Sequence, residues 1–527
     1  MPIVKINDKE VEVPAGTNMI EAAKLVGEDI PHYCYHPHLS IAGNCRMCLV
    51  DIVGGRGPDI ACNMVARDGL AIRTDTPAVK KMRKSVMEFL LVNHQLDCPI
   101  CDQSGECKLQ DYYMDHGQYD ARGMDPKVGK HKRQDIGTQL VLDSERCVHC
   151  SRCVRFSDEV TGTGELALMN RTDHTEIAIF PGERITHDYQ GNLSEICPVG
   201  ALTSADFRFE RRVWYLKETS SVCTGCATGC NITVCHQEGE VFRFSGRRND
   251  AVNKSWMCDP GRLSYKEVAS LSRILKASVG GGPATVEAAL ADVATRVKGA
   301  GAGSVGVVLG AKATNEANWA ALQLARTVLK GSKLYVVAGN DHGPGTGDAI
   351  LQDADKNPNT AGAALLAAHD GNVGDSDALR NDLPSLKVLI VLEDDVLARM
   401  GGVSGPALVF LGATRNESAK AAAVVLPTAH AVEQDGSFVN RQGRVQRIRR
   451  AVNPAGDSQP AYVMLDKLAT ALGGSLGTQM VAGTFNAMAR AVARLKGIEF
   501  KALGEGGVTL APVPTPVAAD AAQGATP

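Results

Sequence analysis

Along the first 26 residues the hydrophobic positions change period. MPIVKINDKEVEV alternates apolar and polar side chains around a polar turn, which predicts strand, turn and strand. A helix is predicted to start near Thr17 and Asn18; Glu21, three residues after Asn18, completes a capping-box sequence, and Gly27 marks the helix end. A second helix is predicted from Thr76 and Pro77, as N-cap and first helical residue, with Val79, Met82, Val86, Phe89 and Leu90 on one face. Its basic cluster, Lys80, Lys81, Arg83 and Lys84, reads as a solvated face. From about residue 272 the texture becomes rich in Ala, Gly and Val. SVGVVLG, NEANWAALQLARTVLKG and KLYVVAG read as strand, helix and strand, and VLIVLE, ALVFLG and AAVVLP as further buried strands, which predicts a parallel α/β domain. Gly280 to Pro283 reads as the linker into it, and the Ala-, Pro- and Thr-rich tail from about Gly504 as disordered.

Composition changes this picture in two ways. A length of 527 residues with 44% hydrophobic side chains describes several globular domains, and no apolar run reaches membrane-spanning length. With no apolar signal core or Arg-rich transit segment at its start, the chain reads as cytosolic as made. A formal net charge of -3 gives no electrostatic case for nucleic acid. All 16 cysteines lie at or before Cys258, and in a cytosolic chain such crowding indicates metal rather than disulfides.

The cysteines fall into sets. In DSERCVHCSRCVRF, Cys147, Cys150 and Cys153 recur every third residue, and Cys197 is followed by Pro198 as in the closing ligand of bacterial-type ferredoxin clusters. Three thiolates this close crowd a single tetrahedral ion but can each cap one iron of a cubane; structural zinc is the alternative. No further cysteine follows Cys153 within a few residues, so the module has kept one cluster. Cys34, Cys45, Cys48 and Cys62, in the order C-x10-C-x2-C-x13-C, resemble the plant-type [2Fe–2S] ferredoxin with its first spacing lengthened, again with zinc as the alternative. Gly43 lets the backbone bend close to sulfur, and His32, His36 and His38 read as groups around a site already filled by thiolates.

His94, Cys98, Cys101 and Cys107 form a three-cysteine, one-histidine set whose local pattern fits zinc as well as a cubane. Cys223, Cys226, Cys230 and the distant Cys258 resemble the [4Fe–4S] domain that opens molybdopterin-dependent oxidoreductases. Cys235 is left over and reads as a small buried hydrophobe in the strand ITVCH. No G-x-G-x-x-G follows a strand and no G-x4-G-K-[ST] occurs; the glycines of GNDHGPGTGD read as loop punctuation. The chain shows sites for electrons and none for hydride.

Taken in order, CYHPHLSIAGNCRMCLV, NHQLDCPICDQSGECKLQD, the one-cluster ferredoxin run and SVCTGCATGC resemble the large iron–sulfur subunit of NADH:quinone oxidoreductase, respiratory complex I, in its bacterial version. The resemblance covers nearly all of residues 1–270 and continues weakly in GSFVNRQGRVQ, Gly436 to Gln446, which is similar to a molybdopterin-oxidoreductase signature. It implies a β-grasp [2Fe–2S] domain at 1–78, a one-histidine three-cysteine [4Fe–4S] segment at 79–122 and a ferredoxin-like [4Fe–4S] domain at 138–210. There follow a molybdopterin-type [4Fe–4S] domain at 216–271, a degenerate molybdopterin-oxidoreductase-like α/β domain at 272–502 and a disordered tail at 503–527.

The resemblance also implies that the His94 set holds a [4Fe–4S] cluster. Electrons would come from NADH through a partner flavin subunit, enter at the Cys34 set, pass to the Cys147 set and then the His94 set, and leave toward quinone. The Cys223 cluster would lie off this path. Partners would be the flavin- and NADH-binding subunit, downstream iron–sulfur subunits and the membrane arm, with the chain peripheral on the cytoplasmic side of the bacterial inner membrane. No molybdopterin is expected, because no cysteine follows Cys258 and the chain ends soon after GRVQ. The alternatives are the iron–sulfur subunit of a soluble NAD-linked hydrogenase or formate dehydrogenase, a catalytic molybdenum enzyme, and a structural zinc protein. An iron-only hydrogenase would need further cysteines after the ferredoxin region.

Overall fold

The alternation read in Ile3–Ile6 places Val4 and Ile6 in a core and Ile3 and Lys5 outside it. The computed structural model describes residues 1–123, 125–341, 343–477 and 480–511. They form two units, the first of residues 1–219, 232–266 and 349–351, the second of 220–231, 267–348 and the described residues from 352 onward.

The first unit opens with a five-stranded sheet in the order Lys9–Glu12, Ile3–Ile6, Ala71–Arg73, Leu49–Ile52, Pro58–Ile60. Ile3–Ile6 and Ala71–Arg73 run parallel and the other neighbours antiparallel, and the helix Met19–Leu25 packs Met19, Ile20, Ala22 and Ala23 onto the sheet core, a β-grasp arrangement. Asn18 caps that helix by accepting from the Ile20 N–H. The predicted capping box does not close. Glu21 instead meets Lys24 and Arg248, cations that attract its carboxylate more strongly than the neutral N-cap amide.

The helix Pro77–Asn93 starts as read, with Thr76 Oγ1 accepting from the Val79 N–H at 3.3 Å. Its buried stripe is Val79, Arg83 and Met87, whereas Met82 is 41% and Phe89 76% exposed. Arg83 is therefore not part of a solvated basic face: its Nη2 donates to the Leu49 carbonyl at 2.8 Å and its stem lies inside the fold.

The ferredoxin-like part has a three-stranded sheet of Leu202–Ser204, Leu140–Leu142 and Gln134–Asp135 and two packed helices, Arg152–Phe156 and Gln190–Ile196. The Cys147–Cys153 run leads into the first helix and Cys197 follows the second. A hairpin of Asn231–Gln237 and Glu240–Gly246 holds Cys235 in its buried face, with a bulge between Cys235 and His236.

In the second unit an eight-stranded sheet runs in the order Gly282–Ala284, Ala277–Val279, Val424–Pro427, Ala407–Gly412, Val388–Leu392, Val305–Leu309, Lys333–Val336, Val373–Gly374. The last six strands are mutually parallel. Both faces are covered: Val305, Val307, Ile390 and Leu392 belong to one core and Val308, Leu389 and Val391 to another. The predicted linker Gly280 to Pro283 is a correction. Gly280 and Gly281 both have positive φ, 57° and 80°, and turn a tight hairpin that adds two antiparallel strands to the sheet edge.

The tail also begins later than 503. Val508–Thr509 pairs antiparallel with Arg444 and Val445, beside the hairpin Gly436–Val439 and Arg444–Ile448, and Leu510 is buried. The expectation of disorder for 512–527 lies outside the described residues. Among the described residues no helix is long and apolar enough to cross a membrane.

Candidate functional site

Cys34, Cys45, Cys48 and Cys62 are buried where the loop after the first helix meets the start of Leu49–Ile52. The N–H groups of Tyr33 and Cys34 both point at the Cys45 sulfur at 3.5 Å, and Gly43, at φ 63°, allows the bend. Side-chain contacts join Cys34 to Cys45 and Cys62, and Cys48 to Cys62; they lower the Cys34 thiol and raise those of Cys45 and Cys62. Four thiols linked in a chain of contacts cannot all ionise unless a cationic group joins them, so the donor set suits metal. Of the flanking histidines, His36 stacks on Trp256 at 5.0 Å, His38 bonds Ser255 and Asp250, and His32 faces the Ile30 carbonyl.

Cys147, Cys150, Cys153 and Cys197 line one small enclosed cavity with Leu142 and Val199. His149 and Ser151, at φ 50° and 58°, adopt the left-handed conformation between the cysteines, which bends the chain so that every third residue faces the same cavity. The His149 N–H points at the Cys147 sulfur at 3.3 Å. Burial pushes the Cys197 thiol up to about 12 and the Cys153 thiol well above its usual range. Thiolates in this cavity thus require a metal charge to offset them.

His94, Cys98 and Cys107 line one cavity of about 660 Å³. Cys101 lies against Gly200, where an added Cβ would sit 2.4 Å from its sulfur. His94 is the C-cap of the long helix and Cys107 the N-cap of Lys108–His116, so regular elements deliver both ends of the set. His94 Nδ1 is buried with no hydrogen-bond partner among the described residues, and burial lowers the imidazole to about 4, the neutral form that ligates metal.

In the second unit, Cys223, Cys226 and Cys230 are buried in one loop, closed by the Cys223 N–H to the Cys230 carbonyl at 2.8 Å, with the Gly225 N–H aimed at the Cys223 sulfur at 3.4 Å. Two residues of GSFVNRQGRVQ clamp this loop: Asn440 Nδ2 donates to the Thr228 carbonyl at 3.1 Å and Gln446 Nε2 to the Gly229 carbonyl at 3.0 Å. Cys258 belongs to the first unit, as N-cap of Asp259–Leu263. Cys235, buried among its hairpin neighbours, contacts Arg243, which pairs with Glu106 at 2.7 Å.

Among the described residues no group of three or more His, Cys, Asp or Glu side chains is set to hold a metal ion as it stands. What supports a polynuclear group is the gathering of buried sulfurs, the amides aimed at sulfur and the partnerless His94 nitrogen.

Sequence reasoning missed the buried arginines around these sets. Arg146 makes a two-pronged pair with Asp97 at 3.1 and 2.7 Å; Arg152 donates to the carbonyls of Ile196 and Tyr35; Arg155 donates to those of Cys34 and Cys150. The signal was present, since DSERCVHCSRCVRF intersperses three arginines among its three cysteines.

Family models match along the chain in the order of these sets. A 2Fe-2S iron-sulfur cluster binding domain matches residues 3–77 and the NADH-ubiquinone oxidoreductase-G iron-sulfur binding region 83–122. The ferredoxin-like domain of NADH-quinone oxidoreductase subunit 3 matches 137–203, the molybdopterin oxidoreductase Fe4S4 domain 216–270 and molybdopterin oxidoreductase 308–471. Among curated relatives, the NADH-quinone oxidoreductase G subunit of Streptomyces coelicolor is 38% identical over 330 residues, 62% of this chain and 39% of that protein. The protein of the same name from Rickettsia felis is 41% identical over 262 residues, 50% of this chain and 39% of that protein. The mitochondrial NADH dehydrogenase [ubiquinone] iron-sulfur protein 1 of Solanum tuberosum is 43% identical over 262 residues, 50% of this chain and 35% of that protein. The chain thus spans about two fifths of the length of the curated relatives it matches. Among solved structures, one titled as an NAD+-reducing [NiFe]-hydrogenase in the H2-reduced state is 27% identical at a TM-score of 0.37, covering 40% of this chain and 91% of that one. In the order and span of its matched modules, the iron–sulfur half of this chain is similar to the large iron–sulfur subunits of NADH-quinone oxidoreductase.

Proposed function

We propose that the chain is an electron-transfer subunit of an NADH:quinone oxidoreductase with no substrate site of its own. In this reading Cys34, Cys45, Cys48 and Cys62 hold a [2Fe–2S] cluster. Three [4Fe–4S] clusters are held by His94 with Cys98, Cys101 and Cys107, by Cys147, Cys150, Cys153 and Cys197, and by Cys223, Cys226, Cys230 and Cys258. When bound, these groups supply one-electron carriage at potentials that the surrounding protein tunes. The six-part domain division read from the sequence, amended at its tail, is taken as the arrangement of these sites.

The observation that carries the proposal is a shared core in the first unit. Cys34, Cys45, Cys107 and Cys150 lie in one hydrophobic cluster with Tyr33, Met87 and Val148, and Cys147 and Cys197 pack against it. Donors from three of the sets are thereby held close together, away from water, by the same side chains. That is what a relay demands of a protein, whereas independent structural zinc sites have no need of a common interior. Partners, in this reading, are a flavin- and NADH-binding subunit upstream and iron–sulfur and membrane subunits downstream, with the chain peripheral on the cytoplasmic face.

The test is His94→Ala in the assembled complex. NADH-to-quinone transfer is expected to fall to background while NADH oxidation by a small artificial acceptor at the flavin survives. Quinone reduction at the native rate would remove the His94 set from the path and with it the relay as drawn.

A further inference from the structure

Arg146 is 4% exposed, and its guanidinium has two unlike edges. Nε and Nη2 face carboxylates: both bond Asp97, at 3.1 and 2.7 Å, and Nε lies 3.4 Å from Asp143. Lys132 approaches the same two carboxylates from outside, at 3.5 and 3.4 Å. The remaining nitrogen, Nη1, is buried and has no hydrogen-bond partner among the described residues. A buried guanidinium N–H without an acceptor is rare enough to need an explanation.

The surroundings supply one. Gly200 packs against both partners at once: a Cβ there would lie 2.4 Å from the Cys101 sulfur and 3.6 Å from Arg146 Cδ. The His94 ring lies against the Arg146 backbone, and Asp97, which fixes the guanidinium, immediately precedes Cys98. Arg146 itself immediately precedes Cys147. The ferredoxin-like module therefore inserts a fixed cation into the loop of the neighbouring set.

We infer that Arg146 is a positioning and potential-setting residue for the His94 centre, its Nη1–H donating to a sulfur of that centre while Asp97 holds the guanidinium in place. The inference rests on the reading that the His94 set holds a [4Fe–4S] cluster. A hydrogen bond and a positive charge at sulfur stabilise the reduced, more negative form, so Arg146 raises the potential of this centre. Lysine cannot make the same fork on Asp97 and still reach sulfur, so it restores the charge without the orientation.

The test is an anaerobic, EPR-monitored redox titration of the full iron-loaded chain, with iron and sulfide counted in each variant. His94→Ala first assigns the signal. Loss of no signal and no iron in that variant would sink the underlying assignment, separately from the role of Arg146. With the signal assigned, Arg146→Gln is expected to shift its midpoint downward with the Cys147-set signal unmoved, and Arg146→Lys to shift it less. Arg146→Lys decides the matter if Arg146→Gln fails to load, because it keeps the positive charge and loses the fork on Asp97. An unmoved midpoint in Arg146→Gln, or in Arg146→Lys where Arg146→Gln fails to load, or a shift confined to the Cys147-set signal, would overturn the proposal.

Discussion

Cys34 and Cys150, which belong to different ligand sets, offer their backbone carbonyls to the same donor: Arg155 Nη2 lies 2.6 Å from the first and 3.2 Å from the second. The same side chain also bonds the Ser40 carbonyl and Ser151 Oγ, so one buried guanidinium ties the first cysteine loop to the ferredoxin-like module. A charged donor satisfying several carbonyls in a dry interior fixes their separation, and in an electron relay separation between centres is what the protein controls.

Arg155→Met keeps the stem and strips these bonds, leaving buried carbonyls without a donor. A destabilisation of about 2–5 kcal/mol is expected. Denaturant unfolding of the anaerobically prepared chain measures it, and an unchanged midpoint would show that the tie does not hold the loops together.

Gly200→Ala places a methyl group 2.4 Å from the Cys101 sulfur, nearer than a non-bonded carbon and sulfur can stand. The expected result is selective loss of the His94 centre, about four irons per chain, with the other signals intact. Retention of full iron would mean that Cys101 moves freely away from Gly200.

Gly229→Ala strains the loop that presents Cys226 and Cys230, because Gly229 has φ 62° and an added Cβ would meet Gln446 Oε1 at 2.8 Å. A local cost of about 1–3 kcal/mol follows. The readout is a fall of about four irons per chain without loss of the [2Fe–2S] signal. Asn440→Ala and Gln446→Ala, which remove the clamps on the same loop, are expected to act in the same direction more weakly.

His430 gives the second unit a pH dependence. Burial, reinforced by the Arg273 guanidinium, lowers its imidazole from 6.5 to about 4, while its Nδ1 accepts from the Val432 N–H. Between those values the unfolded chain holds a proton that the folded chain does not, so stability is fully present above pH 6.5 and is lost as pH falls toward 4. His430→Gln is expected to flatten that slope in denaturation curves recorded across this range; an equal slope in the variant would assign it to other groups.

How much of this was legible beforehand depended on whether one residue's chemistry or a distant partner decided the outcome. Cysteine spacing picked out Cys147, Cys150 and Cys153, which line one cavity, because a loop that serves several ligands from one stretch must repeat them at short intervals. Alternation located the first two strands, where one face is buried, and unbroken apolar runs located the parallel strands of the second unit, which are buried on both faces and carry no period of two. The failures came where a charged side chain took a role that hydropathy does not encode. Arg83 occupies the stripe where Met82 and Phe89 were expected because its guanidinium meets the Leu49 carbonyl, a partner set by the strand's position. Glu21 left its capping box for Arg248, far away in sequence. Gly280 and Gly281 read as a linker by composition, yet a pair of glycines is also what a tight hairpin requires. Arg146 and Arg152 adjoin Cys147 and Cys153 in the sequence and Arg155 follows two residues later, but only the fold reveals which carbonyls and carboxylates they meet.

The central claim, that four donor sets hold a chain of iron–sulfur clusters, is tested most directly by counting iron, acid-labile sulfide, zinc and molybdenum in the anaerobically purified chain alongside low-temperature EPR during stepwise reduction. The account predicts about 14 irons per chain with matching sulfide, neither zinc nor molybdenum, one [2Fe–2S] signal and several [4Fe–4S] signals. Stoichiometric zinc with little sulfide would contradict it, and one molybdenum per chain would make the second unit a catalytic domain instead.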